Sequence, residues 1–423
     1  MVGGGIFAVL GLTIDLSRGG APVAFMIAGV LALITAYSYV KLSLRYPSEG
    51  GTIEFIVQAF GNDLFSSIIN NLLLISYVIM LALYAYAFGS YGAALFGNNV
   101  EWVHKILSSI VILLFIFINI LGAFLTGRAE DIMVFAKIII LLVFAAVGFA
   151  SINWTHMSLQ EWMPFPSVAA GGFMIFLAYE GFELIANTAR DVKDPQVNLP
   201  RAYYSSVIFV ILLYIVISAV AVGNLSFAEA KSAQDYVLAK AAEPFFGHAG
   251  FIFISIAALL STASAINATI YGSGRISYIV AKFGELPAEF EIKIKHGYEG
   301  MVIIGILAII FTTFFDLNNI SVAGSIGFLT IFGLVNFANF RLYKQTNSNR
   351  LLPALGTILC SGAAVTLIGY NMKNSPHSLY SSLVVLFGVL ILSYLYNHLK
   401  DKKLSTYIDK ELEREERFLK ELL

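Results

Sequence analysis

Charge is scarce in this chain. Only 13% of its 423 residues are Asp, Glu, Lys or Arg, against about a quarter in an ordinary soluble domain. So little charge cannot clothe an aqueous surface of normal polarity. Neither sign dominates, because the formal net charge is −1, and there is no basic field to attract nucleic acid. Cysteine is nearly absent. Cys360 stands alone in an apolar run, which excludes an intramolecular disulfide and reads as a small buried hydrophobe. The six histidines (His104, His156, His248, His296, His377 and His398) fall in loops or at span ends without ligand spacing. No metal and no cofactor is expected, and the chain is not read as an enzyme. Gly272-Ser-Gly-Arg275 lacks the Gly-Lys-Ser/Thr ending of a phosphate loop, so no nucleotide-driven pump is encoded. A basic leader and a small-residue cleavage site are also missing, and no cleavable signal peptide is expected.

What is present is hydrophobicity. Apolar residues make up 58% of the chain and the mean hydropathy is +0.80. The runs are about 20 residues long, the length that crosses a bilayer core, and they do not alternate like barrel strands. The expected fold class is therefore all-α, a polytopic protein of the cell membrane. Eleven spans are read near 22–44, 64–96, 103–122, 132–152, 168–189, 203–223, 250–280, 301–315, 321–340, 352–370 and 378–396. Before them lies a half-span. From Gly5 to Ile14 no charge occurs, and ten residues make roughly 15 Å of helix. If this segment runs outward, thirteen basic residues fall in inner loops and seven more in the tail from Lys400. Only Arg18, Lys105, Lys231, Lys240 and Lys373 fall outside, and Lys137 alone lies within a span. By the positive-inside rule both termini are expected in the cytoplasm. The tail mixes charge with Leu404, Ile408, Leu412 and Leu419 and is read as a solvated or surface-lying helix.

The two halves echo each other. Each opens on a Gly-broken helix, at Gly3-Gly4-Gly5 and at Tyr179-Glu-Gly-Phe-Glu183. Each places a short amphipathic stretch (51–61 and 233–247) before its longest span, and each stretch ends in Phe-Gly. An odd number of spans per repeat inverts the second copy, which predicts a midplane site where the two breaks meet. The expected units are 1–152, 168–341, peripheral helices over 352–399 and a charged tail over 400–423.

At Gly3–Gly5 the missing side chains let a ligand approach the backbone. The N–H groups and positive dipole end of the following helix suit a carboxylate; close helix packing is the alternative. Glu180 lies about 18 Å into its span by helical rise, so both it and Glu183 sit near the midplane. A charge there costs at least roughly 2.5–3.5 kcal/mol, which suggests a partner, a cavity or a proton. Glu183 is read as a protonatable coupling group and Glu180 as a site-lining acceptor for an ammonium. Protonated carboxyls bonded to a neighbouring helix are the plainer reading. Lys137 either snorkels to the interface or faces the interior and exchanges a proton. Ser261, Thr262 and Ser264 are its candidate neighbours, unless they bond backward within their own helix.

Phe176-Leu-Ala-Tyr-Glu-Gly-Phe-Glu183, followed by Asp191-Val-Lys-Asp-Pro195 and Asn198-Leu-Pro-Arg201, resembles the sixth-helix pattern of amino acid permeases, within the amino acid–polyamine–organocation superfamily. Val2-Gly-Gly-Gly-Ile-Phe7 is similar to that family's first-helix motif, and Ser261–Gly272 with Gly284-Glu-Leu-Pro287 to its eighth helix and next loop. The resemblance covers essentially the whole chain and says little about substrate. It implies a five-plus-five inverted-repeat transporter core with two extra C-terminal helices. It also implies amino acid transport by alternating access, proton-coupled and sodium-independent. On this resemblance Gly3, Gly4, Gly5 and Ile6 bind the substrate carboxylate. Phe176, Tyr179, Glu180 and Gly181 border the amino group, and Phe182 lies near the gate. Lys137 matches a fifth-helix lysine proposed to exchange protons, with Glu183, Ser261 and Ser264 assigned to the same coupling. A polyamine or other organic-cation carrier of the same fold, or a non-transporting sensor, are the alternatives. Three departures stand out. The cytoplasmic half of the first helix is missing, so a start assigned too late or a trimmed chain is expected. Gly4 replaces the usual Ser or Ala. Arg190 stands where an acidic residue is common, which puts an inner salt bridge in question.

Overall fold

The computed structural model describes residues 1–97, 101–122, 127–294 and 297–399; the charged tail read at 400–423 lies outside the described residues. Among the described residues the regular structure is helical, apart from a two-stranded ladder of Lys293–Ile294 with Gly297–Tyr298. Helix α1 (Gly5–Ser17) starts at the glycine triplet and ends at Arg18, where φ turns to 45°. The next is α2 (Ala21–Arg45), with Pro22 in its first turn, where a missing N–H costs nothing. Then come the amphipathic α3 (Thr52–Phe60) and the long α4 (Leu64–Leu95), whose N-cap Asp63 accepts from the Ser66 amide at 3.1 Å. Helices α5 (Glu101–Ile120) and α6 (Gly127–Phe149) complete the first half.

The second half opens with α7 (Phe165–Met174), which gives way to a 3-10 turn over Phe176–Tyr179 and, after a break, another over Glu183–Asp191. It continues with α8 (Pro195–Asn224), α9 (Phe227–Ser232), a turn over Gln234–Tyr236, α10 (Val237–Lys282), α11 (Glu299–Phe314) and α12 (Leu317–Arg341). Helices α13 (Leu351–Asn374) and α14 (Pro376–Leu399) follow.

Among the described residues eight helices are long and apolar enough to cross a bilayer (α2, α4, α5, α8, α10, α12, α13 and α14). The bent pair of α7 with the segment 176–191 makes a ninth, and Gly5–Ser17, Met133–Phe149 and Glu299–Phe314 are shorter apolar helices. The protein is thus a multi-pass, all-α membrane protein. One boundary differs from expectation. Helix α8 begins at Pro195, not near 203, because its first turns are polar and hydropathy cannot see them. The stretch read as separate before 250 is indeed set off from the long span: Gly247 is non-helical (φ 64°) and kinks the run Val237–Lys282 there.

Packing sorts the helices into two groups. Helices α1, α2, α7 and α8 lie against one another, and so do α4, α5, α10 and α11. Helix α6 bridges α8 and α10, while α12 bridges α2 and α4. Helix α13 packs on α2, α7 and α12, and α14 on α4 and α12. The end carrying α3 is tied by Arg275–Glu49 and Tyr46–Gln345 pairs and by Lys41 Nζ donating to the Asn347 carbonyl at 2.9 Å. At the end carrying α9, Lys231 pairs with Asp15 of α1 at 3.7 Å, and Arg18 pairs through its backbone with Trp162. Arg190 is exposed and joins no ion pair among the described residues.

Candidate functional site

The N-terminus of α1 meets the broken end of α7 tip to tip. A Cβ placed on Gly5 would lie 2.9 Å from the Ala178 Cα and 3.2 Å from its carbonyl oxygen. Only a residue without a side chain permits that approach of backbone to backbone. The first turn of α1 therefore abuts the 3-10 turn Phe176–Tyr179. Its early N–H groups have no partner within their own helix, and the first internal bond of this end runs from the Ala8 amide to the Gly4 carbonyl at 2.9 Å. Gly3 is anchored from α10, where the Ser261 hydroxyl donates to its carbonyl at 3.0 Å. Gly4 is the N-cap of α1, and a Cβ there would lie 2.5 Å from Cδ1 of Tyr84. The space that a Ser or Ala side chain would need is filled by this ring. Ile6 is fully buried in the same turn.

Across the break, α7 bends by 47° into the segment 176–191. Gly181 makes the corner at φ 111°, a conformation that residues with a Cβ rarely adopt. Its amide donates to Glu183 Oε2 at 2.6 Å, so the helix break is closed by a carboxyl two residues on. Glu180 and Glu183 are 5% and 1% exposed. Tyr84 donates to Glu180 Oε2 and Tyr77 to Glu183 Oε1, both at 3.4 Å, long for such bonds. Phe176 packs edge-on to Phe332 at 5.7 Å, and the Tyr179 hydroxyl donates to the Phe25 carbonyl at 2.8 Å. Phe182 sits in an aromatic cluster, 5.4 Å from Tyr39 and 5.3 Å from Phe332 between ring centroids.

Lys137 is 5% exposed. Its side chain is therefore drawn into the bundle and does not snorkel. It lies near enough to the Met1 amino group to act on it electrostatically, as do Glu180 and Glu183. Ser264 is buried one turn beyond Ser261 on α10. Thr262 bonds backward to the Ala258 carbonyl at 2.7 Å and presents only its methyl group to Gly4.

Reasoning from sequence overlooked the tyrosines of α4. Tyr77 and Tyr84 reach the two carboxyls, and the Tyr91 hydroxyl donates to the Phe7 carbonyl of α1 at 3.2 Å. Within an apolar span each passes for core, but the seven-residue spacing places all three on one helical stripe. That stripe was the available signal. Together the site offers helix N–H groups on one side and carboxyl and carbonyl oxygens on the other. This is what a zwitterion requires, one pole meeting each side.

A helix N-terminus facing a broken helix within a membrane bundle is the arrangement that transporter sites use. The comparisons agree: a family model described as amino acid permease matches residues 1–396, and the chain belongs to that family. It is similar to the uncharacterized protein MJ0609 of Methanocaldococcus jannaschii, 32% identical over 96% of this chain and 94% of that protein. It is likewise similar to the inner membrane transport protein YbaT of Escherichia coli, 32% identical over 93% of this chain and 92% of that protein. The methylthioribose transporter of Bacillus subtilis is 25% identical over 93% of this chain and 89% of its own length.

Proposed function

We propose that this permease moves amino acids across the cell membrane by alternating access, driven by protons and independent of sodium. The observation that carries this reading is the contact of Gly5 with Ala178, which brings two helix tips of opposite polarity together beside two buried carboxyls. The substrate carboxylate meets the amides of Gly3–Gly5 and Ile6. Its ammonium meets the carbonyl end of Phe176–Tyr179 and the carboxylate of Glu180, with Gly181 and Phe182 closing that side. Protons pass through Lys137 and Glu183, with Ser261 and Ser264 as hydroxyl neighbours.

The five-plus-five reading, with repeats at 1–152 and 168–341 and peripheral helices over 352–399, draws support from the grouping. Helices α1 and α2 of the first half pack with α7 and α8 of the second, and α4 and α5 with α10 and α11. Both termini are assigned to the cytoplasmic side on the distribution of Lys and Arg. A second reading, transport of a polyamine or other organic cation, is favoured by one observation alone: two carboxyls, not one, border the site.

Uptake of labelled amino acids into proteoliposomes, with and without an inward-acid pH gradient, tests the proposal. Stimulation by the gradient and indifference to sodium are expected. Uptake of amines but not amino acids would move the assignment to the second reading. Transport of no solute at all would leave a sensor.

A further inference from the structure

At the end of the bundle that carries α9, a cavity of about 300 Å³ opens between α4, α5 and the segment around 232–236. That is the size of a site for a small solute. Its polar lining has an unusual balance, because the hydroxyls of Ser90, Ser232 and Tyr86 and a ring nitrogen of His104 are already engaged within the protein. Ser90 donates its hydroxyl to the Tyr86 carbonyl at 3.0 Å, and Ser232 donates to the Glu229 carbonyl at 3.0 Å. The Tyr86 hydroxyl donates to Asp235 Oδ2 at 3.3 Å. His104 places Nε2 3.0 Å from the Tyr86 carbonyl. A carbonyl only accepts, so Nε2 carries the proton and Nδ1 of the neutral ring is left as an acceptor.

What these groups still offer a ligand is acceptors: the Asp235 carboxylate, hydroxyl lone pairs and an imidazole nitrogen. The charges nearby are mixed, but the bases Lys105 and Lys240 are each paired with an acid. Glu101 on the rim is paired with Lys105 at 2.6 Å. Asp316, the N-cap of α12, acts electrostatically on both Tyr86 and Asp235. Among the described residues no Lys or Arg lines the cavity. The rings of Tyr86 and Tyr236 add π faces, which attract cations.

An anion would meet the Asp235 carboxylate and mainly acceptors, and a neutral amide would find few donors for its own carbonyl. A primary ammonium, with three donors and no acceptor, is the complement of this lining. We propose that this cavity binds the ammonium group of a small alkylamine, at a site separate from the one between the broken helices. Asp235 supplies the countercharge and Tyr86 the ring against which the cation rests. The site does not depend on the transport reading, because binding here needs no movement of the bundle.

Equilibrium binding of radiolabelled putrescine to the purified full chain in lipid nanodiscs tests the proposal. One saturable site is expected. Asp235→Asn should weaken it at least tenfold, whereas Glu180→Gln, at the central site, should leave it within twofold. Ala93→Leu, which fills the cavity without removing a hydrogen bond, should also weaken it. That variant keeps the test open if Asp235→Asn fails to fold. Absence of saturable binding would overturn the proposal. So would unchanged affinity in both cavity variants, or loss of binding in Glu180→Gln alone, which would place the amine between the broken helices.

Discussion

Replacing Gly5 by Ala probes the junction of the two helix tips at its tightest point. The new Cβ would fall 2.9 Å from the Ala178 Cα and 3.0 Å from its Cβ, where ordinary contact begins at 3.4 Å. The tips must then separate by about half an ångström. Little can yield. The turn carrying Ala178 is pinned by the Tyr179 hydroxyl on the Phe25 carbonyl and by Phe176 against Phe332, and Gly3 is held by Ser261. Overpacking of this kind costs about 1–3 kcal/mol, and the better helix propensity of Ala returns at most about 1 kcal/mol. A net loss of about 1–2 kcal/mol corresponds to roughly five- to thirtyfold in an equilibrium or rate. Initial uptake rates in proteoliposomes should fall by that factor in Gly5→Ala. Gly272→Ala is the control, because nothing lies within 4 Å of its Cβ position and uptake should be unchanged. Uptake by Gly5→Ala within twofold of wild type, at equal protein per vesicle, would refute the reasoning.

Three further outcomes follow from the same geometry. Lys137→Ala should abolish stimulation by a pH gradient while leaving exchange of substrate between preloaded vesicles; unchanged gradient dependence would reduce Lys137 to a structural role. Ser261→Ala removes the donor to the Gly3 carbonyl, worth about 0.5–1.5 kcal/mol. Substrate half-saturation should rise two- to tenfold, and an unaltered value would separate Ser261 from the site. At α9, bonds from the Ser226 hydroxyl and amide hold the Glu229 carboxyl below the usual carboxylate range. The sign follows: this capping box contributes at neutral pH and is lost as pH falls through the depressed pKa of Glu229. Carbon-13 NMR of labelled Glu should show that titration moving upward in Ser226→Ala, and an unmoved titration would contradict it.

Much of the architecture was legible because membranes impose simple lengths. Runs of about 20 apolar residues and glycine-marked interruptions give the spans and the break at Gly181, whose positive φ leaves few other residues possible. Hydropathy is silent where a helix continues into polar surroundings, which is why the first turns of α8 were missed, whereas the kink at Gly247 was marked by its Phe-Gly pair. At the site, carboxyls and glycines announced themselves by being costly or permissive in lipid. The tyrosines of α4 did not. Their rings satisfy hydropathy as core residues do, and only the spacing of Tyr77, Tyr84 and Tyr91 distinguishes their shared stripe. Nor does sequence say that the Tyr84 ring, and not a ligand, fills the space beside Gly4. Proximity of that kind depends on how α1 and α4 cross.

The most direct test is a cryo-electron microscopy map of the protein in nanodiscs with a transported amino acid bound. Its carboxylate should lie about 3 Å from amide nitrogens of the first turn of α1, and its amino group should face Glu180 and the end of the 176–179 turn. Density for the substrate away from both helix tips, or α7 running unbroken past Gly181, would contradict the account.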